Sequence, residues 1–263
     1  MKSPLRKRLP RELKSEFGKY LVVFIMMAIT IGFVSGFLVA DGSMLRAYDD
    51  SFQKYNIEDG YFQTKKKLTP AQKEDIEKSD VKVYENFYIE QKLTNGSTIR
   101  FFKNRKEVDK VCLMNGKMPK KSGEIAVDRM YADNNELKVG DTVKSRKKTF
   151  RITGLVALSD YSALFQNNND TMFDAVKFGV AIVTDKDFEA LNQVKVQYNY
   201  AWIYDKKPAT EKKEKKMAED LMEDMADVVT IESFVPQYQN QSIHFTGDDM
   251  GSDRAMIVML LYI

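Results

Sequence analysis

The sequence predicts a membrane-anchored α+β protein: one N-terminal transmembrane helix, then a two-lobed extracytoplasmic domain in which a βαβ-type lobe carries an inserted β-rich lobe. Three observations carry that reading. Residues 20–40, YLVVFIMMAITIGFVSGFLVA, hold no charge across 21 positions. Strand–helix–strand patterns recur near both ends of the remaining chain. Between them lie short strands punctuated by glycine-bearing turns.

The apolar run fits a bilayer. At about 1.5 Å per residue its helix measures about 31 Å, against a hydrocarbon core of about 30 Å. Leu, Val, Ile, Phe and Met occupy its whole circumference, whereas a helix packed on a soluble core shows one apolar stripe. A cleaved signal peptide is the rival, but the run exceeds the usual apolar region of about 7–15 residues and no A-x-A site follows it. Ala28, Gly32, Gly36 and Ala40 fall on one line of this helix. Such a line, with its G-x-x-x-G, lets a second helix backbone approach.

The flanks set orientation. Lys2, Arg6, Lys7, Arg8, Arg11, Lys14 and Lys19 precede the span against Glu12 and Glu16, whereas Asp41, Asp49 and Asp50 follow it with Arg46. Basic residues stay on the cytoplasmic side. That places residues 1–19 inside, 20–40 across the cell membrane and 41–254 outside. In the leader, Leu5, Leu9, Leu13 and Phe17 form an apolar ridge with cations between them. This is the pattern of a helix lying among headgroups, and Pro10 suits its first turn.

In the domain, residues 56–64 read as a strand through Ile57, Tyr61 and Phe62. Thr69-Pro70 starts a helix, the Thr capping it and Ile76 facing inward. Residues 81–93 are strand-like, and Asn95-Gly96 turns them into a hairpin with 97–103. The expected unit is β-α-β-β. Near the far end, residues 200–204 and 228–234 read as strands around a helix over 209–226, whose buried face is Met217, Ala218, Leu221, Met222 and Met225. The two ends are expected to share one sheet, with the middle inserted as a second lobe.

The middle runs NGKMP (115–119), GEIAVD (123–128), LKVGDTV (137–143) and FRITGLV (150–156). These are a turn, a strand leading into a short helix, and a β-hairpin. In this order they resemble the periplasmic core domain of FtsX/MacB-like ABC transporter permeases, and the leader RKRLPRELKSEFGKY (6–20) is similar to that family's start. Between residues 159 and 241 no motif is matched. The resemblance implies a permease subunit in the plasma membrane, working with a separate P-loop ATPase and a second permease copy or homologue. It also implies that the final apolar stretch, AMIVMLLYI (255–263), is the start of a second transmembrane helix. Asp248, Asp249 and Asp253 would keep that junction outside. The alternative is a single-pass anchored binding or sensor domain.

Counts narrow the chemistry. The chain carries 41 basic and 38 acidic residues; without the leader's 7 and 2 the balance is 34 to 36, which offers no basic domain for nucleic acid. Cys112 is the one cysteine, so no intramolecular disulfide forms, and in VCLM it reads as a small buried hydrophobe. With His244 the one histidine, the usual zinc and Cys-His sites are not available. No G-x-x-x-x-G-K-[ST] occurs, so the chain has no ATP cradle of its own. Asp220, Glu223, Asp224 and Asp227 alternate with an apolar face and read as a solvated face. Asn167 to Asp170 reads as an exposed loop. No catalytic residue, cofactor or metal site is assigned.

Overall fold

The structure, a computed structural model, describes residues 11–145, 148–191 and 196–260. Leu5, Leu9 and Pro10 of the leader ridge and the last three residues of the apolar C-terminal run lie outside these. The chain divides into two compact units, residues 1–48 with 249–263, and residues 49–248.

The first unit contains all but the last two turns of α1, an unbroken 39-residue helix over Phe17–Tyr55. Its apolar window has a mean hydropathy of 2.5 and none of it is buried. It is therefore not the core helix of a soluble domain; by length and composition it suits a bilayer. Thr30 and Ser35 fall inside the apolar run, and their hydroxyls donate to the carbonyls of Met26 at 2.9 Å and Ile31 at 2.7 Å. The hydroxyl hydrogens of these two residues thus have partners within the helix. The helix does not stop at Asp41, where the sequence suggested the soluble domain begins. It runs about 15 residues further, since nothing from 41 to 55 breaks it: no proline, and one glycine.

α1 ends in a Schellman motif. Asn56 takes φ 51°, its N–H donates to Gln53, and the Ile57 N–H donates back to Phe52 at 3.0 Å. Asparagine tolerates this left-handed conformation, and the burial of Ile57 completes the stop.

In the second unit, β1 (Gly60–Thr64), β2 (Val81–Glu85), β10 (Tyr198–Tyr204) and β11 (Ile231–Pro236) form a sheet in the order β11-β1-β10-β2, every pair antiparallel. Helix α2 (Pro70–Glu77) joins β1 to β2, and α5 (Glu211–Val228) joins β10 to β11. These are two interleaved split βαβ units, the ferredoxin-like arrangement. The two ends of the domain do share one sheet, as expected. α2 starts on a full capping box, Thr69 with Gln72. On the helix-facing side Phe62, Tyr200 and Trp202 are at most 1 % exposed, each contributing about 1.5–3 kcal/mol of burial. α5 buries Ala218, Leu221 and Met225 as predicted, but Met222 is 45 % exposed, because it lies on the polar side of the stripe. The Asp220, Glu223, Asp224 and Asp227 face is exposed.

The β-α-β-β grouping is corrected. β3 (Tyr88–Lys92) and β4 (Thr98–Phe102) pair through the Asn95-Gly96 turn but belong to the second, seven-stranded sheet. The chain changes lobes at Asn86-Phe87. There it runs beside the returning segment, with Asn86 N–H to Asn199 O at 2.9 Å and Gln197 N–H to Tyr88 O at 2.9 Å. The second sheet adds β5 (Val111–Gly116), β6 (Glu124–Asp128), β7 (Thr142–Lys144), β8 (Thr149–Leu158) and β9 (Phe178–Val183), in the order β3-β4-β9-β6-β8-β5, with β7 on β8. A bridge between Leu93 and Ser145 joins the end of β3 to the end of β7, so the sheet curls nearly closed. GEIAVD is β6, and Asp128 caps α3 (Arg129–Asn134); helix α4 is Asp185–Leu191. Cys112 is only half-buried. It sits on edge strand β5, where Leu113 and Met114 are 43 % and 51 % exposed.

Candidate functional site

The second unit holds a charged junction where the residues after α1 meet those before α6 (Gln241–Leu260). Gln237 donates from its backbone N–H to Asp59 O at 2.9 Å and from Nε2 to Glu58 O at 2.5 Å. Asn240 caps the start of α6, its Oδ1 accepting from the Ser242 N–H at 3.1 Å, and its Nδ2 reaches Glu58 Oε1 at 3.4 Å. The inserted lobe joins from the other side. Asp109 and Lys110 N–H groups donate to Asn56 O and Tyr55 O at 3.0 and 2.9 Å, and the Glu58 N–H donates to Asp109 Oδ1 at 2.9 Å.

Behind this contact lies a buried ionic cluster. Arg105 and Asp160 make two parallel bonds of 2.7 and 2.6 Å, and Arg105 Nη1 also reaches Asn86 Oδ1 at 3.2 Å. Burial alone would lower the Arg105 pKa, but the Asp160 charge outweighs it and the guanidinium stays ionised. The carboxyls are less well served. Burial first, then the neighbouring Asp160, pushes Asp109 up to about 7. Burial, with Asp109 and Asp160 nearby, holds Glu58 well above the ordinary carboxylate range. One guanidinium faces three carboxyls here, too few positive charges for all of them to ionise cheaply.

Beside the cluster opens a cavity of about 380 Å³ between the two sheets. Its floor is a row of cross-strand neighbours on the four-stranded sheet, Ser233, Gln63 and Asn199. Its roof includes Arg100, which stacks on the Tyr88 ring with its Cζ 4.2 Å from the centroid and donates to Glu90 and to Gln166 O at 2.8 Å. The asparagine loop forms one wall and is not a free loop. Asn168 Nδ2 donates to Gln239 O, and its Oδ1 accepts from the Gln241 N–H, both at 2.9 Å.

α6 is fastened further by Ser162, whose hydroxyl lies 2.9 and 2.7 Å from the Ser242 and Ile243 carbonyls. Phe165, Phe173 and Phe245 make a triangle of edge contacts at 5.4–5.6 Å. Ser162, Phe165 and Phe173 are in the stretch where sequence matched no motif. His244 stacks loosely on Phe52, centroids 6.2 Å apart. Among the described residues no group of His, Cys, Asp and Glu is arranged to hold a metal.

Ala28, Gly32, Gly36 and Ala40 are all exposed, and a Cβ added at Gly32 or Gly36 would meet nothing within 4 Å. They form no part of the junction. The sequence pattern had no means of finding Glu58, Asp109, Arg105 and Asp160. They are scattered over a hundred positions and meet only through the lobe insertion.

No family model and no curated protein matches this sequence. Solved structures do. The chain matches the extracytoplasmic parts of two known proteins. One is the extracellular domain of the noncanonic ABC-type transporter YknZ from Gram-positive bacteria, 13 % identical, covering 67 % of this chain and 97 % of that one with a TM-score of 0.37. The other is the periplasmic region of MacB from Actinobacillus actinomycetemcomitans, 12 % identical, covering 66 % of this chain and 87 % of that one, also at 0.37.

Proposed function

We propose that this chain belongs to the membrane subunit of an ABC-type transporter, its large domain extracytoplasmic and its N-terminus cytoplasmic. A separate P-loop ATPase would drive the membrane helices, and those helices would move the outer domain, for export, extrusion or transmission of force. The observation that carries this reading is the junction. α1 runs unbroken from an apolar window to Tyr55, and the residues just past its end are bonded to those that open α6. Two helices tied at one node give a domain that both can bias, which coupling between distant sites requires. The order of motifs from residue 115 to 156 supports the same reading, as does the basic leader.

The subunit would pair with a second copy or homologue. The line Ala28, Gly32, Gly36 and Ala40, open on its outer side, is the surface proposed for helix packing in the membrane. In this reading the ATPase, not this chain, would supply the catalytic groups. The test is affinity purification from native membranes of the protein that contains this chain. Recovery with a P-loop ATPase is expected; its consistent absence would leave an anchored binding or sensor domain.

A further inference from the structure

The four-stranded sheet has one apolar face and one polar face. On its helix-facing side the cross-strand row is Phe234, Phe62 and Tyr200; one residue along, on the side turned to the second sheet, it is Ser233, Gln63 and Asn199. A sheet covered on both faces ordinarily reads as apolar throughout. Here the second face stays polar, and over it lies the cavity of about 380 Å³.

Several polar groups of this cavity are open and unengaged. Tyr61, Gln63, Gln166 and Ser233 are half-buried and belong to its lining. Among the described residues nothing bonds Tyr61 Oη, Gln63 Oε1, Gln166 Oε1 or Ser233 Oγ, and none of these atoms is closed off from solvent. The amide nitrogens of the two glutamines are held already, Gln63 Nε2 donating to Tyr88 Oη at 3.1 Å and Gln166 Nε2 to Glu90 Oε2 at 3.5 Å. That leaves each carbonyl oxygen as the free end. The charged groups are different. Arg100 pairs with Glu90 and Asp160 with Arg105. The Glu58 carboxyl is turned to Asn240 and Asp109, and its Oε2 is closed to solvent. No lysine lines the cavity among the described residues.

Two free carbonyl oxygens and two free hydroxyls, with no free charge, select the ligand. An organic anion brings acceptors alone, which oppose the glutamine oxygens. An ammonium brings a charge for which no open carboxylate is left. An apolar molecule leaves all four groups unmatched. A neutral hydroxyl both donates and accepts, so it pairs with any of the four. Tyr61 lies two residues from Gln63 on the same face of β1. Its ring gives the C–H surface of a compact polyol an apolar wall to pack on.

We infer that this cavity binds a neutral saccharide unit, its hydroxyls donating to Gln63 Oε1 and Gln166 Oε1 and pairing with the hydroxyls of Ser233 and Tyr61. The volume is near the lower end of ligand pockets, roughly 300–1,000 Å³, which suits a small sugar. The site lies within the soluble lobes and stands whether or not the chain serves a transporter.

The experiment is saturation-transfer NMR on the 263-residue chain in micelles of a detergent that has no sugar headgroup. Glucose, galactose, mannose and N-acetylglucosamine are the probes. Glucuronate, glucosamine and N-acetylglycinamide are the acidic, basic and amide controls. The expected result is saturable binding of at least one probe at about millimolar Kd or tighter, and at least about tenfold tighter than every control. Ser233→Ala and Tyr61→Phe should each weaken that sugar by about three- to tenfold, and Gln63→Leu by about tenfold, each in protein that melts cooperatively. Should Gln63→Leu fail to fold, because Tyr88 loses its partner, the two smaller changes decide. Binding of none of the four sugars, a control within about tenfold of the best sugar, or unchanged affinity in the folded variants would each overturn the inference.

Discussion

Arg105 and Asp160 face one another through two parallel hydrogen bonds, with both side chains only 6 % exposed. Their 55-residue separation in sequence is closed by the inserted lobe alone. A buried bidentate pair contributes little net stability, because desolvation offsets the attraction, but breaking it leaves one charge stranded.

Asp160→Ala is therefore expected to destabilise the domain by about 3–5 kcal/mol. The loss should be worse than simple truncation, since Arg105 Nε already lacks a partner. Urea unfolding checks this. A midpoint within error of wild type would show that the cluster is wetter than its burial implies.

The second prediction concerns pH. Asp109 rises from 3.8 to about 7 on folding, so between those values the folded state binds more protons than the unfolded. Stability then falls as pH rises through that window, and the Asp109 contribution is most unfavourable above about 7. Asp109→Asn should raise the unfolding free energy at about pH 8 by on the order of 1–3 kcal/mol, and by much less at about pH 4. The amide can still accept from the Glu58 N–H. Parallel melting curves at the two pH values decide it; a variant less stable at both would mean the hydrogen bonds matter more than the charge.

A third prediction rests on close packing. A Cβ built on Gly60 would lie 2.2 Å from Trp202 Cζ2 and 2.8 Å from Val235 O. Trp202 is fully buried, stacked on Phe234 with centroids 4.7 Å apart, so the indole has little room to yield. Gly60→Ala should cost about 1–3 kcal/mol, whereas Gly42→Ala, inside α1 with nothing within 4 Å of the added Cβ, should stabilise by up to about 1 kcal/mol. Thermal melts of the two variants side by side provide the comparison.

How much of this was legible in the sequence follows from the range of the forces involved. Local signals held: the Thr69 cap, the Asn95-Gly96 turn, the α5 stripe and the glycine-marked hairpin in the middle all depend on residues within a few positions of each other. The junction did not show, because Glu58, Asp109 and Asn240 are joined by topology. Nor did the place where the chain changes lobes, since residues 81–93 form one continuous strand-like run whose two halves serve different sheets. Cys112 was misjudged for a related reason: VCLM has a core strand's composition, but β5 lies on an edge.

The last prediction concerns α1 beyond the membrane. Residues 41–55 continue the helix past the apolar run, and Ala47 lies on its exposed side. A proline there removes one i→i−4 hydrogen bond and clashes with the preceding turn, costing about 3 kcal/mol of helix. The domain's two sheets do not include that turn, so Ala47→Pro should leave its melting temperature nearly unchanged. If the proposed function is right, the kink should nevertheless weaken communication along α1. In the assembled transporter, ATP turnover should lose its response to Asp160→Ala or to other changes in the outer domain, while basal turnover persists. Insertion is checked by a cytoplasm-active reporter fused before Lys19, which should stay active in both proteins. A kinked α1 that transmits domain mutations as well as the straight one would remove this helix from the coupling path.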